Sequence, residues 1–338
     1  MNRRFFVLAA TALATCAVSP LAHAADELRV MVHSSFSLPK PLLAQFETQA
    51  GVKLAIIKGG NAGEMLNKLI LTKAQPLADV VFGIDNTLAA KAQAAGVLEP
   101  GLPPAKADAD LGAAVAAVDY GFVTLNYDKA AIAKSGLALP KTLQELTLPA
   151  YKATLVVPNP ATSSPGYAFL LATIAGLGEE EAFAWWAQMR ANGLKVAKGW
   201  SEAYYTEFTR GGGTHPLVVS YATSPAAEVF YAKEKLTESP TASLNLKGGV
   251  FRQVEGVALL KGGSQREAAL KLVDFLRSAP VQEALQTSMW MYPVQAQTPR
   301  ASVLRHAAEP ASFDSLPLQM VADKGAQWVA RWTQVVLK

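Results

Sequence analysis

Cysteine and charge are both scarce in this sequence, and each scarcity excludes a class of protein. Its 338 residues contain one cysteine, which rules out a disulfide scaffold, a Cys-rich zinc site and an iron–sulfur cluster. Charged residues make up 17% of the chain, and the formal net charge of +4 is too mild for a nucleic-acid-binding surface. We therefore expect no nucleic acid among its partners. The 24 glycines and 20 prolines are ordinary levels, which excludes collagen-like and disordered chains.

Residues 1–24 have the pattern of a signal peptide. Arg3 and Arg4 precede an apolar stretch over residues 5–18, and residues 22–24 read Ala-His-Ala, an A-x-A cleavage site. The apolar stretch is shorter than the roughly 20 residues that a membrane-spanning helix needs. We predict cleavage after this site and export to the periplasm, with the Sec and twin-arginine routes both open.

Cleavage would remove the only cysteine and lower the formal net charge from +4 to +2. The alternative is a lipoprotein, because residues 13–16 loosely resemble a lipoprotein cleavage box ending at Cys16, although Thr15 is bulky for that position. No other run is long and apolar enough to span a bilayer. We expect a soluble, exported, monomeric protein.

The mature chain alternates short apolar strands with amphipathic helices, a pattern typical of α/β proteins. Five short strands are predicted, over residues 28–32, 53–57, 79–82, 154–157 and 217–221. Helices are predicted over residues 39–50, 201–210, 265–277, 279–287 and 318–336, and further helices begin after Asn61, Pro165 and Ser224.

Two further strands, residues 119–127 and 254–260, are predicted to cross between two lobes. Each lobe would hold a mixed, mostly parallel sheet flanked by helices. We predict that residues 25–121 and 256–338 form lobe 1 and residues 122–255 form lobe 2, with hinge bends near Gly121 and Gly256.

Polar loops follow the predicted strands, at the positions where ligands bind in open α/β sheets. These loops are rich in Ser, Thr, Asn and Gly, and they cover residues 33–36, 59–61, 83–86, 159–166 and 221–225. From the loops of lobe 1 we predict four ligand-binding residues: Ser34, Ser35, Asn61 and Asp85.

Lobe 2 offers an anion-binding helix start and an aromatic corner. Ser163 and Ser164 precede Pro165, so exposed N–H groups at the start of the next helix would face the cleft. Trp200 precedes Ser201, a candidate N-cap, and its indole could close over a ligand and donate one hydrogen bond. A plain N-cap and a tryptophan packed within its own lobe are the alternatives.

Enzyme signatures are few. His33, His215 and His306 remain after the signal peptide, and none is spaced as a metal pair. The sequence contains no G-x-S-x-G elbow, Walker loop or dinucleotide fingerprint. We predict a non-enzyme without cofactor or metal, and a secreted hydrolase is the distant alternative.

The mature chain resembles the periplasmic thiamine-binding proteins of bacterial ABC importers, which belong to the two-lobed type II solute-binding proteins. Two runs carry the resemblance most specifically: KGWSEAY over residues 198–204 and WMYPV over residues 290–294. Further matching runs are DVVFGIDN (79–86), DYG (119–121), TSSPG (162–166) and SYATSP (220–225).

The resemblance implies a binding protein that captures thiamine or its phosphate esters and passes them to a membrane permease with its ATPase. It implies that Ser163, Ser164 and Trp200 lie by the phosphate or hydroxyethyl end. Tyr221 and Trp290 would wall the aromatic rings.

The chain departs from the family at several ring-contacting positions. His33 stands where the family has tyrosine, Asn61 where it has an acidic residue, and Ala227 where it has an aromatic residue. Residues 38–40 replace a loop that carries tryptophan in the family. Another phosphorylated or anionic solute is therefore an alternative ligand. A ferric ion is a second alternative, since related proteins bind iron through adjacent tyrosines and residues 204–205 are Tyr-Tyr.

Overall fold

A computed structural model of the protein describes residues 26–102 and 111–338. The predicted signal peptide lies outside these residues. The strands within them are β1 (Glu27–Val32), β2 (Lys53–Lys58), β3 (Val80–Asp85), β4 (Ala116–Asp128), β5 (Leu155–Pro158), β6 (Lys195–Ala197), β7 (Leu217–Tyr221), β8 (Thr241–Leu244), β9 (Phe251–Leu259) and β10 (Tyr292–Pro293). The helices are α1 (Lys40–Ala50), α2 (Ala62–Leu71), α3 (Ala89–Ala94), α4 (Lys129–Ser135), α5 (Ser164–Leu177), α6 (Glu179–Ala191), α7 (Trp200–Glu202), α8 (Ser224–Phe230), α9 (Arg266–Leu276), α10 (Ala279–Ser288) and α11 (Leu318–Leu337).

The strands form one continuous sheet in the order β2-β1-β3-β9-β4-β7-β5-β6. At one end β1 pairs in parallel with β2 and β3, and at the other β5 pairs in parallel with β6 and β7. The two central strands, β9 and β4, run antiparallel to their neighbours. Helices cover the sheet, which confirms the predicted α/β class.

Strand β4 is long enough to belong to both halves of the sheet. Its residues 116–123 pair with β9, and its residues 123–127 pair with β7. The predicted crossing strands are therefore present and lie side by side. The lobe boundaries and the hinge bends at Gly121 and Gly256 stay predictions.

Several local predictions are confirmed. Helix α1 ends where Gly51 takes a left-handed conformation with φ of 72°, which glycine adopts without a steric cost. Asn61 is the N-cap of α2, and the Glu64 carboxylate accepts the Asn61 backbone N–H at 2.9 Å. Both the helix end at Gly51 and the helix start at Asn61 depend on residues within one helical turn.

The C-terminal helix α11 packs across the molecule. Trp332 is fully buried and meets Trp186 of α6 edge to face, with ring centroids 5.6 Å apart. The Arg331 guanidinium donates to both carboxylate oxygens of Glu180, at 2.7 and 2.6 Å. Helix α11 also contacts α3, so this segment, which was assigned to lobe 1, touches elements from both predicted lobes.

Within the part of the chain that the structure describes, no helix has both the length and the apolar character to cross a membrane.

We expect Trp332→Ala to lower the free energy of unfolding by about 3–5 kcal/mol, because it removes a large buried ring and leaves a cavity between α6 and α11. Leu337→Ala on the same helix is the matched control, since Leu337 is 46% exposed and its loss should change little. Urea denaturation followed by circular dichroism measures both. Equal effects would show that α11 does not anchor the fold through Trp332.

Candidate ligand-binding cleft

A cavity of about 600 Å³ lies where the carboxyl ends of β1, β5 and β7 face one another. Eight of the nine predicted site residues line it: Ser34, Ser35, Asn61, Ser163, Ser164, Trp200, Tyr221 and Trp290. The structure thus brings together side chains that are more than 250 residues apart in sequence. Their contact with a ligand stays a prediction.

Asp85 is the ninth residue, and it lies behind the cavity wall. The sequence predicts Asp85 in a polar loop, and this prediction is wrong: Asp85 is the last residue of β3 and only 1% exposed. Its Oδ1 accepts the Thr87 hydroxyl at 2.6 Å and the Thr87 backbone N–H at 2.9 Å. The strand is longer than predicted because β9 pairs with it through Asp85, a long-range contact that no local pattern reports.

The loop after β1 is held in shape from β2. Lys58 Nζ donates to the carbonyl oxygens of Ser34, at 3.2 Å, and Phe36. The backbone N–H of Ser34 donates to Gly60 at 2.8 Å. These bonds fix the loop that lines the cavity with Ser34 and Ser35.

The start of α5 forms the opposite wall. Ser163 occupies the N-cap position, and Ser163 and Ser164 are 3% and 5% exposed. Gly166 lets the helix start approach β5, because a Cβ there would lie 2.3 Å from the Pro158 carbonyl oxygen. A helix start of this kind presents backbone N–H groups and a partial positive charge, which suits a phosphate or a hydroxyl.

Trp200 is the centre of an aromatic cluster. Its ring stacks on Tyr204, with centroids 5.4 Å apart and planes 23° apart, and meets Tyr205 and Tyr221 edge on. Its indole N–H donates to Ser220 Oγ at 2.8 Å. That donor was expected to reach a ligand, but it is used inside the protein, so Trp200 offers the cavity an apolar face.

The predicted helix over residues 201–210 is replaced by three shorter turns. Helix α7 begins at Trp200 with Gly199 as N-cap, a π-helical turn covers Ala203–Glu207, and a 3-10 turn covers Thr209–Gly211. The Phe208 N–H bonds to the Ala203 carbonyl five residues back. The π turn places Tyr204 and Tyr205 with ring centroids 5.5 Å apart, and both line the cavity.

Trp290 has an uncommon backbone conformation, with φ of 60°. Its carbonyl oxygen accepts the Thr223 hydroxyl at 2.6 Å, and its ring meets Phe230 and Tyr231 at 5.3 and 5.6 Å between centroids. A left-handed conformation at a bulky residue is maintained only where its surroundings enforce it. The contacts here present Trp290 to the cavity.

Three carboxyl groups lie side by side on the adjacent strands β3, β9 and β4, at the base of the cavity. Glu255 of β9 is the register partner of Asp85 on β3 and of Asp119 on β4. Burial raises the pKa of Asp85 to about 6, and burial together with the charge of Glu255 raises the pKa of Asp119 well above its usual value. Glu255 alone of the three lines the cavity, and its Oε1 is 2.9 Å from His33 Nε2.

Burial also raises the pKa of Tyr221, and Glu255 and Asp85 add to the effect. The phenol therefore keeps its proton and donates to Gln253 Oε1 at 3.1 Å. Tyr221 is thus a neutral ring near these carboxyl groups.

The sequence did not predict several polar lining residues, including Arg210, Glu228, Gln253 and Glu255, or one aromatic residue, Tyr231. Glu255 is the one charged residue in the apolar run over residues 254–260, and this could have indicated a functional role. Tyr231 lies one helical turn after Ala227, so it can supply a ring near the position where the family has one.

The two sides of the cavity touch at its mouth. A Cβ on Gly199 would lie 2.4 Å from Asn61 Oδ1, and a Cβ on Gly63 would lie 3.1 Å from the Thr162 carbonyl oxygen. Lys198 Nζ forms an ion pair with Glu64 Oε1 at 3.3 Å across the same contact. The cleft is therefore in a closed arrangement.

Across residues 26–102 and 111–338, no group of three or more His, Cys, Asp or Glu side chains is arranged to hold a metal ion.

An α/β sheet with two parallel halves, joined by antiparallel strands beside a cavity, has the fold of the type II periplasmic binding proteins. The chain belongs to the family of bacterial extracellular solute-binding proteins, whose pattern matches residues 75–321.

Individual relatives agree with this assignment. The thiamine-binding periplasmic protein of Salmonella typhimurium is 31% identical over 333 residues, which cover 93% of this chain and 95% of the relative. A solved periplasmic thiamin binding protein has a TM-score of 0.81 and 29% identity, and the match covers 93% of this chain and 98% of that one. The ferric binding protein from Campylobacter jejuni shares the fold, with a TM-score of 0.74, 18% identity, and 91% and 99% coverage.

We expect Asp85→Asn to change how stability depends on pH. The buried carboxyl keeps its proton to about pH 6, whereas in the unfolded chain it loses it near pH 4. Asp85 therefore contributes stability at low pH that is lost as pH rises through this window, by about 2–3 kcal/mol. The difference in unfolding free energy between wild type and variant, measured at pH 4 and pH 7, should change by this amount. A constant difference would contradict the shifted pKa.

Proposed function

We propose that this protein binds thiamine and thiamine phosphates in the periplasm and delivers them to the permease of an ABC importer. The observation that carries the proposal is the cleft cavity, with a helix start suited to an anion on one wall and stacked aromatic rings on the other. The relationship to proteins named as thiamine-binding supports the choice of ligand.

The two walls suit the two ends of thiamine. The hydroxyl groups of Ser163 and Ser164 and the start of α5 suit the hydroxyethyl group or its phosphate ester. Trp200, Tyr221 and Trp290 offer ring faces to the aminopyrimidine and the thiazolium, and a cationic ring gains from contact with an aromatic face.

Where the chain lacks an aromatic or acidic residue of the family, another residue that lines the cavity can supply that side chain. Tyr231 lines the cavity one turn from Ala227, and Glu228 and Glu255 supply carboxylates where Asn61 does not. The cavity therefore keeps the aromatic and acidic character that a cationic heterocycle requires.

The proposal includes a permease and, through it, an ATPase as partners, a monomeric binding protein, and capture without catalysis. Export through the predicted signal peptide of residues 1–24 would place the protein in the periplasm, where its named relatives are found.

A ferric ion is the rival ligand, and Tyr204 is the residue that argues against it. Burial raises the pKa of Tyr204 well above its usual value, and its hydroxyl donates to Glu228 at 2.9 Å. Iron would have to displace both the proton and this bond. A tyrosinate-to-iron charge-transfer band in the visible spectrum after ferric loading would favour the rival.

Titration calorimetry should show saturable binding of thiamine, thiamine monophosphate and thiamine diphosphate to the mature protein, and none of inorganic phosphate alone. Trp290→Ala should weaken thiamine binding at least about tenfold, because an aromatic wall is lost.

Phe313→Ala is the control variant, since this 45% exposed ring is not among the residues that line the cavity. Absence of heat and of thermal stabilisation with every thiamine form would refute the proposed ligand. Tight binding of inorganic phosphate would favour an anionic solute instead.

A further inference from the structure

We propose that Glu255 is the specificity-determining residue that selects a positively charged ring at the base of the cavity. This inference rests on the proposed thiamine-binding function and assigns its recognition of charge to one side chain.

The position of Glu255 in the sheet distinguishes it from the two neighbouring carboxyl groups, because Glu255 reaches the cavity. Asp85 and Asp119 flank it in register, but these two are 1% and 0% exposed and do not line the cavity. In ionised form neither oxygen of Asp119 has a hydrogen-bond donor among the described residues, and a proton shared with Glu255 would remove this deficit. Asp119 is therefore a positioning residue, and Glu255 is the carboxylate that meets a ligand.

The basic side chains near the cavity show which of its carboxylates is already paired. Of the residues that line it, only His33 and Arg210 are basic. Arg210 Nη2 is bound to Glu228 Oε2 at 3.2 Å, and Tyr204 also donates to Glu228. Glu228 thus has its charge matched within the protein. Apart from the proton shared with Asp119, Glu255 has only the His33 ring, 2.9 Å away but without hydrogen-bond geometry, so its charge has no fixed basic partner and is available to a cation.

An independent feature fixes which part of the ligand lies beside Glu255. The Ser164 hydroxyl is buried at the cavity wall beside the Asp85 carboxyl, and it makes no hydrogen bond of good geometry to any described residue. This unpartnered hydroxyl suits the hydroxyethyl or phosphate end of thiamine. Because Asp85 is also the register partner of Glu255, that end of the ligand lies near Glu255.

The connectivity of thiamine completes the argument. Its hydroxyethyl tail is attached to the thiazolium, so a tail at Ser164 brings the charged ring next to Glu255 and leaves the aminopyrimidine for the aromatic wall. A carboxylate shielded from water attracts such a charge far more strongly than an exposed one.

The test compares thiamine with 3-deazathiamine, in which a neutral thiophene replaces the thiazolium. Calorimetry at pH 7 on the mature wild-type protein should give tighter binding of thiamine by at least about tenfold. Glu255→Gln, which keeps the shape of the side chain, should weaken thiamine binding by about 30-fold and leave 3-deazathiamine binding within about threefold. Glu267→Gln is the matched control, because Glu267 on α9 has an 86% exposed side chain and is not among the residues that line the cavity, so this variant should keep the preference for thiamine.

Each result decides the matter. Collapse of the preference in Glu255→Gln alone supports the assignment. Equal loss for both ligands, or an unchanged preference, overturns it and leaves the thiamine-binding function standing. If Glu255→Gln does not fold, the wild-type comparison is sufficient, since equal affinity for the charged and neutral ligands also overturns the assignment. Wild-type protein that binds neither ligand refutes the proposed function, and this inference falls with it.

Discussion

The pairing of β4 with β9 is the constraint on which the rest of the structure depends. These two antiparallel strands join two parallel half-sheets into one, so the carboxyl ends of the strands in each half face a common space. The cavity exists because of this junction. The same register places Asp85, Glu255 and Asp119 side by side. The base of the cavity is therefore acidic because the sheet is continuous through β3, β9 and β4.

The chemistry of the cavity follows from where its walls begin. A helix start contributes a partial positive charge and hydroxyl groups at Ser163 and Ser164, while the π turn and the strained Trp290 contribute ring faces. Positive, aromatic and negative surfaces thus line one cavity. Such an arrangement suits a ligand that is itself divided into an anionic or hydroxyl tail, a cationic ring and a flat heterocycle.

Much of the fold could be predicted because its causes are local. Alternation of apolar strands and amphipathic helices specified the α/β class, and Gly51 and Asn61 marked a helix end and a helix start that the structure reproduces. Seven of the proposed site residues line one cavity because the ends of parallel strands converge, a rule of topology that needs no coordinates. Trp290 also lines it, but this residue lies between α10 and β10, and only the family resemblance predicted it.

The sequence by itself determined most of the secondary structure, the class of fold and the polar loops of the cleft, since each depends mainly on residues within a turn or two of one another. Only the tertiary structure decided that Asp85 is buried, that Glu255 and Tyr231 reach the cavity, and that the Trp200 indole bonds to Ser220. These facts depend on which strands pair and in what register. Pairing joins residues that are far apart in the chain, so their roles became visible only when the sheet was complete.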